Sequence, residues 1–406
     1  MVEPAHILEA REVVAAQLPP TPLLYSEYFS SATGARVYLK LENLQRTGSF
    51  KVRGALHKLH RCREAIGPKG VVAASAGNHA QGVALAAQRL GIPATIVMPE
   101  NASISKQLAT RGYGGEVILA GASVAEALER ARALVAEGYT FIHPFDDPDV
   151  IAGQGTVGLE LLEQCEAPDE VWVPVGGGGL IAGLAVAVKQ GAAATRIVGV
   201  QSEACPSAAE ALRAGRPVTA PAGRSIADGI MVPRVGEHAF RILRRLVDEI
   251  VVAEESRIAM AIVQLLEMKK LLAEGAGAVA LAALLAAPPE RIRDKRVVVV
   301  ISGGNVDLNV LDRILEQGLI RTGRILRFGV VLPDVPGALA SVLAVLTRQR
   351  ANILHILHDR LSLDLPVGMT RVEVEVETRN EAHIRELTEA LAAGGFHTEP
   401  CRGHPL

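Results

Sequence analysis

Between Val71 and Ile301 the chain repeatedly sets a short apolar run before a longer helical stretch, a pattern that few architectures accept. Val71–Ala74 reads as a strand and leads through Gly77 into a helix to about Arg89. Ala94–Met98 leads into a helix near Ser103–Arg111, and Val117–Leu119 into one from about Val124 to Glu137. Further on come Val171–Val175 with the helix Leu180–Lys189, then the strands Ile197–Val200 and Val297–Ile301. Strands without polar alternation are buried on both faces, so the sequence predicts an α/β fold with parallel sheets covered by helices. A first helix, Ala5 to Gln17, ends before the breakers Pro19 and Pro20.

The last 80 or so residues of the 406 follow another rule. Leu326–Val331 reads as a strand, Gly337–Arg348 as a helix and Ile353–His358 as a strand. Val372, Val374 and Val376 alternate with Glu373, Glu375 and Glu377, the signature of a half-exposed antiparallel strand. A helix from about Ala382 to Ala393 and a short strand near His397 complete a small α+β unit. The boundary falls near Arg321–Arg324, giving domains 1–322 and 323–406.

Composition removes several classes of function. A net charge of −2 and 3% aromatic residues offer neither a phosphate-binding surface nor a base-stacking platform, so no nucleic-acid or anionic-membrane partner is expected. No apolar run approaches the roughly 18 residues of a membrane span, and the N-terminus lacks the pattern of a signal peptide. Cys62, Cys165, Cys205 and Cys401 are too widely spaced for a metal site and read as thiols of a reducing compartment, which places the protein in the cytoplasm.

Four segments carry chemistry. Val171–Leu180 runs from a strand through Gly176, Gly177, Gly178 and Gly179 into a helix beginning near Leu180. Successive glycines let backbone N–H groups close around a phosphate, and the helix N-terminus favours negative charge. The same turn fits a looser dinucleotide pattern through Gly177, Gly179 and Ala182, with Glu203 placed for a ribose. Taken alone it leaves a nicotinamide-dependent oxidoreductase open. Thr47–Ala55 places Lys51 at a helix start beside Phe50, with Gly48, Ser49 and Gly54 implying close packing; a partly buried lysine amine can attack an aldehyde. Ser75-Ala76-Gly77-Asn78-His79 puts hydroxyl, amide and free N–H groups at a strand-to-helix turn, suited to a carboxylate or phenolate. A plain structural alternative is a cap by Ser75 with His79 packed inside. Ser302-Gly303-Gly304-Asn305 ends a very apolar strand, where ligands of open parallel sheets collect.

In this order Ser-Phe-Lys-Val-Arg-Gly-Ala, Ser-Ala-Gly-Asn-His-Ala-Gln-Gly, Pro-Val-Gly-Gly-Gly-Gly-Leu and Ser-Gly-Gly-Asn closely resemble the threonine dehydratase (threonine ammonia-lyase) family. That family belongs to the tryptophan-synthase-β-like, fold type II pyridoxal-phosphate enzymes. The resemblance covers about residues 5–322 and implies two open α/β subdomains, the smaller (about 48–145) inserted in the larger. It implies that Lys51 forms the Schiff base with pyridoxal 5'-phosphate and that Phe50 packs against the ring. It further implies that Asn78 reaches the phenolate oxygen and that Ser75, Gly77 and His79 border the carboxylate of an amino-acid substrate. Gly176, Gly177, Gly178, Gly179 and Leu180 would offer N–H groups to the phosphate, and Ser302 would meet the pyridine nitrogen. A serine there leaves the ring a weaker electron sink than a carboxylate would, favouring elimination.

Serine racemase shares the fold, but the position after Ser75, where that enzyme carries a second acid/base serine, is Ala76 here. The residue matching Met231 is often smaller in relatives, and Glu203 lies where some of them hold a cation. His355, His358 and Asp359 sit on one strand and read as strand residues before they read as a metal site. The tail resembles an ACT domain (βαββαβ) through Asp334-Val335-Pro336-Gly337-Ala338-Leu339 and Asn352-Ile353. That implies an amino-acid effector near Asp334, Gly337, Ala338, Asn352 and Ile353, held between paired modules of a homodimer or homotetramer.

Overall fold

The computed structural model describes residues 1–360 and 365–400; Cys401 lies outside them. The chain divides into two compact units, Met1–Val310 and Leu311–Leu406.

The first unit holds two sheets. Strands β1 (Leu23–Tyr25), β2 (Arg36–Leu41), β7 (Glu170–Pro174), β8 (Arg196–Ser202), β9 (Glu249–Ala253) and β10 (Arg296–Ile301) form the larger, in the order β1-β2-β10-β7-β8-β9. All its pairs are parallel except β1 with β2. Strands β3 (Val71–Ala74), β4 (Ala94–Met98), β5 (Glu116–Leu119) and β6 (Thr140–Phe141) form the smaller, in the parallel order β5-β4-β3-β6. The expected strands are present, and β3, β4 and β7 are buried along their whole length, as their unbroken apolar runs require.

Two buried helices had no expectation attached to them. Pro148–Gln164 is capped by Asp147, whose carboxylate accepts the N–H groups of Asp149 and Val150. It packs between the helices Lys51–Arg61 and Gly179–Gly191 through glycines at the crossings. A Cβ on Gly153 would lie 2.6 Å from Gly54 Cα, and one on Gly183 2.1 Å from Ile151 O. Gly275–Ala286 is buried on nearly every side.

A buried ionic cluster fixes the helix that begins at Lys51. Arg53 donates through Nε and Nη2 to Glu42 at 2.8 and 2.9 Å, and through Nη1 and Nη2 to Glu160 at 2.6 and 2.9 Å. Its fifth bond goes to Thr156 Oγ1 at 3.2 Å, so every guanidinium N–H is used. Lys40 Nζ adds a contact to Glu160 at 2.7 Å.

The second unit contains β11 (Ile325–Pro333), β12 (Asn352–Asp359), β13 (Met369–Glu377) and β14 (Thr398–Pro400), antiparallel in the order β12-β13-β11-β14. Helices Ala338–Arg348 and Glu381–Ala393 complete the βαββαβ sequence. Val372, Val374 and Val376 face the core with Phe328, Val342 and Leu387. Strand β12 is an edge, and Leu354, Ile356 and Leu357 on it are exposed.

Candidate active site

Lys51 is the first residue of its helix, and its Nζ donates to Pro144 O at 2.9 Å. The amine also stands 5.3 Å from the centroid of the Phe50 ring. Burial lowers its pKa to about 8, against the pull of the Glu274 carboxylate. An amine so placed is neutral at mildly alkaline pH and can act as nucleophile or base.

Pro144 belongs to a strap that joins Lys51 to the glycine turn. His143 Nδ1 accepts the N–H groups of Phe145 and Asp146, at 3.3 and 2.8 Å, which fixes the strap's bend. Asp146 accepts the N–H groups of Glu237, His238 and Ala239, capping their helix. Phe145 lies against the turn: a Cβ on Gly177 would sit 2.3 Å from its ring, and one on Gly179 2.8 Å from its carbonyl oxygen. Gly178 has φ +93°, a left-handed conformation that glycine adopts without strain. The N–H groups of Gly176, Gly177, Gly178, Gly179 and Leu180 donate to no acceptor among the described residues. Five successive free donors at the start of the helix Gly179–Gly191 make a cradle for an anion.

The third and fourth segments meet over a residue that the sequence reading missed. Asn78 Nδ2 donates to Glu274 Oε1 at 2.6 Å. Asn305 Nδ2 donates to Asn78 Oδ1 and to Thr47 O, each at 2.7 Å. Phe50 N donates to Ser302 O at 3.2 Å, and Ser49 pairs with Gly303 as an isolated bridge, so the Lys51 segment is tied directly to the end of β10. Ser302 is buried, and its hydroxyl donates to Ala276 O at 3.3 Å. Burial and Asp228 push the Glu274 carboxyl up to about 7, against Asn78, Lys106 and Lys51. The available signal was a single acid within Leu271-Leu272-Ala273-Glu274-Gly275-Ala276, an otherwise apolar run.

Around Ser75 the structure divides the expected roles. Helix Asn78–Leu90 begins at the cap Gly77, which receives no side-chain cap, and Ser75 Oγ accepts the Gly77 N–H at 3.1 Å. The N–H groups of Asn78, His79 and Ala80 donate to no acceptor among the described residues, which leaves this end open to a carboxylate. The His79 ring is buried and its Nε2 lies 2.9 Å from Ile142 O. A carbonyl only accepts, so Nε2 carries the proton; burial, then Lys51, depress the pKa to about 3 and keep the ring neutral. The imidazole of His79 is thus packed inside, and only its backbone N–H is free for a substrate.

Glu203 is engaged at a helix start. Its Oε1 accepts the Glu255 N–H at 3.2 Å, and no group of three potential His, Cys, Asp or Glu ligands occurs among the described residues, His355, His358 and Asp359 included. Lys106 reaches Asp307 at 3.2 Å and Asp228 at 3.4 Å, while Ser103 and Ser105 donate to Asp307 at 3.0 and 3.1 Å. This clasp links the helix after β4 to the loops after β10 and around Asp228–Ile230, next to Met231.

In the second unit, Asp334, Gly337 and Ala338 lie where β11 turns into its helix, and Asp334 accepts from Arg360 Nε at 3.1 Å. Asn352 and Ile353 lie at the other end of the sheet, since Asn352 pairs with Glu377 and Glu377 with Ile325. At about 3.3 Å per residue the two groups stand roughly 30 Å apart within one chain. One module does not bring the expected effector residues together.

Residues 14–303 match the family described as pyridoxal-phosphate dependent enzyme, and the chain belongs to that family. Within it, the chain is 46% identical over 397 residues to L-threonine ammonia-lyase of Thermotoga maritima, covering 98% of each. It is also similar to the solved processed form of threonine deaminase isoform 2 from Solanum lycopersicum (TM-score 0.73, 39% identity, 77% of this chain and 91% of that one). A further likeness is to maize serine racemase (TM-score 0.73, 35% identity, 79% and 98%). The dinucleotide reading of the glycine turn falls with this membership.

The residues present fit the family's cofactor. The five-donor cradle suits a phosphate, the lysine of lowered pKa suits an aldehyde, and the buried Ser49 hydroxyl, two positions before that lysine, has no partner among the described residues. No helix of the described chain is long and apolar enough to cross a membrane.

Proposed function

We propose that this chain is an L-threonine ammonia-lyase, with L-serine as a second substrate, converting threonine to 2-oxobutanoate and ammonia. The observation that carries this reading is the juxtaposition of the Lys51 amine, at 2.9 Å from the strap, with the five free N–H groups that the same strap borders. Bound pyridoxal phosphate supplies an aldehyde that condenses with amines and a conjugated ring that accepts the electron pair left at the substrate Cα. Gly176, Gly177, Gly178, Gly179 and Leu180 hold its phosphate, Lys51 its aldehyde carbon, Asn78 its ring oxygen, and Ser302 its ring nitrogen, with Phe50 beside it.

Ser75, Gly77 and the N–H of His79 bind the substrate carboxylate and so orient the Cα–H bond. Displaced by the substrate amine, the Lys51 amine would take the Cα proton; the β-hydroxyl would leave as water with a proton supplied by the cofactor phosphate, and the released enamine would be hydrolysed to 2-oxobutanoate and ammonia. Ser302 would present a hydroxyl and not a carboxylate to the ring nitrogen, which would leave the ring a weaker electron sink and favour loss of the β-substituent. Ala76, half-buried against the apolar core of the small sheet, offers no acid or base for the opposite face, which favours elimination over racemisation.

The regulatory half of the reading is an ACT-like module that binds a small amino acid, isoleucine or valine, in a homodimer or homotetramer. Support comes from the exposed edge β12: antiparallel pairing of two copies there sets Asn352 and Ile353 of one beside the Asp334 end of the other. The free thiols of Cys62, Cys165 and Cys205 accord with a cytoplasmic enzyme. Purified protein with pyridoxal phosphate is assayed for keto acid from threonine and serine, with and without isoleucine. Turnover lost in Lys51→Ala is expected; no keto acid from threonine in the unaltered chain overturns the reading.

A further inference from the structure

An asparagine amide offers one acceptor and two N–H donors, and its orientation is decided by its neighbours. Around Asn78 that decision starts from an unambiguous group. Thr47 O is a backbone carbonyl and only accepts, so Asn305 must turn its NH2 toward it. The second N–H of that amide meets Asn78 Oδ1, which obliges Asn78 to turn its own NH2 toward Glu274. One N–H of Asn78 is left over. The backbone is shaped around both partners: a Cβ on Gly303 would lie 2.4 Å from Glu274 Oε1, and one on Gly48, at φ +69°, would lie 2.4 Å from Asn305 Oδ1.

We infer that Glu274, together with Asn305, is a positioning residue that locks Asn78 so that it turns only an N–H donor toward the cofactor, and the site thereby selects a deprotonated ring oxygen. The inference rests on the cofactor reading above. The carboxylate has a second effect through its charge. A hydrogen bond to an ionised acceptor is roughly twice as strong as a neutral one, so the lock is tightest when Glu274 is ionised. The charged groups that act on it from neighbouring elements are Asp228, Lys106 and Lys51, and with burial they place its titration near 7. Below that pH it is neutral, as a glutamine is.

The test is a double cycle on the full chain: equilibrium binding of pyridoxal phosphate and of its 3-deoxy analogue, which lacks the ring oxygen, to wild type, Glu274→Gln and Asn305→Ala. Each variant should weaken pyridoxal phosphate about tenfold more than the analogue, the worth of one charge-assisted bond, because the pull of Glu274 on Lys51 acts on both ligands alike. The wild-type advantage over Glu274→Gln should shrink as pH falls through about 7. Asn305→Ala keeps the carboxylate, so it serves where Glu274→Gln does not fold. Equal losses for both ligands, or none, would overturn the positioning role while leaving the cofactor reading intact. Failure of wild type to bind pyridoxal phosphate would overturn both.

Discussion

Replacing Arg53 by Ala removes five hydrogen bonds in one step and is the sharpest stability test the structure offers. The Arg53 and Glu42 side chains are both 0% exposed, and after the replacement the Thr21 hydroxyl is the one hydrogen bond left to Glu42 among the described residues, with the Lys40 charge nearby. Glu160, 17% exposed, retains Lys40. Breaking a buried pair while leaving one charge behind costs about 3–5 kcal/mol, and that is the expected loss at neutral pH. Trp172 is the chain's single tryptophan and lies buried in β7, so its fluorescence in a urea titration follows the first unit alone. The pH dependence has a definite sign. Burial raises the Glu160 pKa, but bonds and charge from Arg53, then Lys40, hold it below the ordinary carboxylate value. A depressed carboxyl stabilises above its unfolded pKa and loses that contribution as pH falls through the folded one. The gap between wild type and variant should therefore narrow in acid. A second variant, Glu42→Gln with Arg53→Met, should recover part of the loss because it leaves no bare charge at position 42. A gap under about 1 kcal/mol at neutral pH, or one that widens in acid, would refute the reasoning.

Other perturbations have expected outcomes of the same kind. Gly177→Ala places a methyl 2.3 Å from the Phe145 ring; overpacking of about 1–3 kcal/mol should weaken pyridoxal phosphate by fivefold or more in an equilibrium titration, and unchanged affinity would refute the strap's role. Lys106→Met removes the clasp to Asp307 and Asp228, half-exposed pairs worth about 0–1 kcal/mol. Thermal stability should barely move while KM for threonine rises; an unchanged KM would show that the clasp is incidental. Leu357→Asp on the exposed edge β12 should weaken self-association in sedimentation while leaving threonine turnover in place; full association would move the pairing surface elsewhere.

The parallel sheets were legible because strands such as β4 and β7 are buried on both faces and so carry unbroken apolar runs. Helices Pro148–Gln164 and Gly275–Ala286 were not, for a related reason. A helix enclosed on all sides shows no polar stripe, and glycines at its crossings look like loop residues in a sequence. The four chemical segments could be read one by one because each is local. Their meeting could not, because it depends on the strap His143–Asp147 and on Glu274, residues whose partners are distant in the chain. Arg53 is a similar case: Glu160 lies 107 positions away, and nothing local distinguishes this arginine from a solvated one. The effector positions lie at opposite ends of one sheet, so their meeting would need a second module, which no local motif spells out.

Lys51 is the amine expected to take the aldehyde, and a direct measurement can identify it. The holoenzyme is to be reduced with borohydride, digested, and the cofactor-bearing peptide sequenced, with the coupling rate followed against pH. The label should fall on Lys51 alone, with a rate that rises with pH and levels off above about 8. A label on Lys40, Lys106 or another lysine, or none at all, would contradict that assignment.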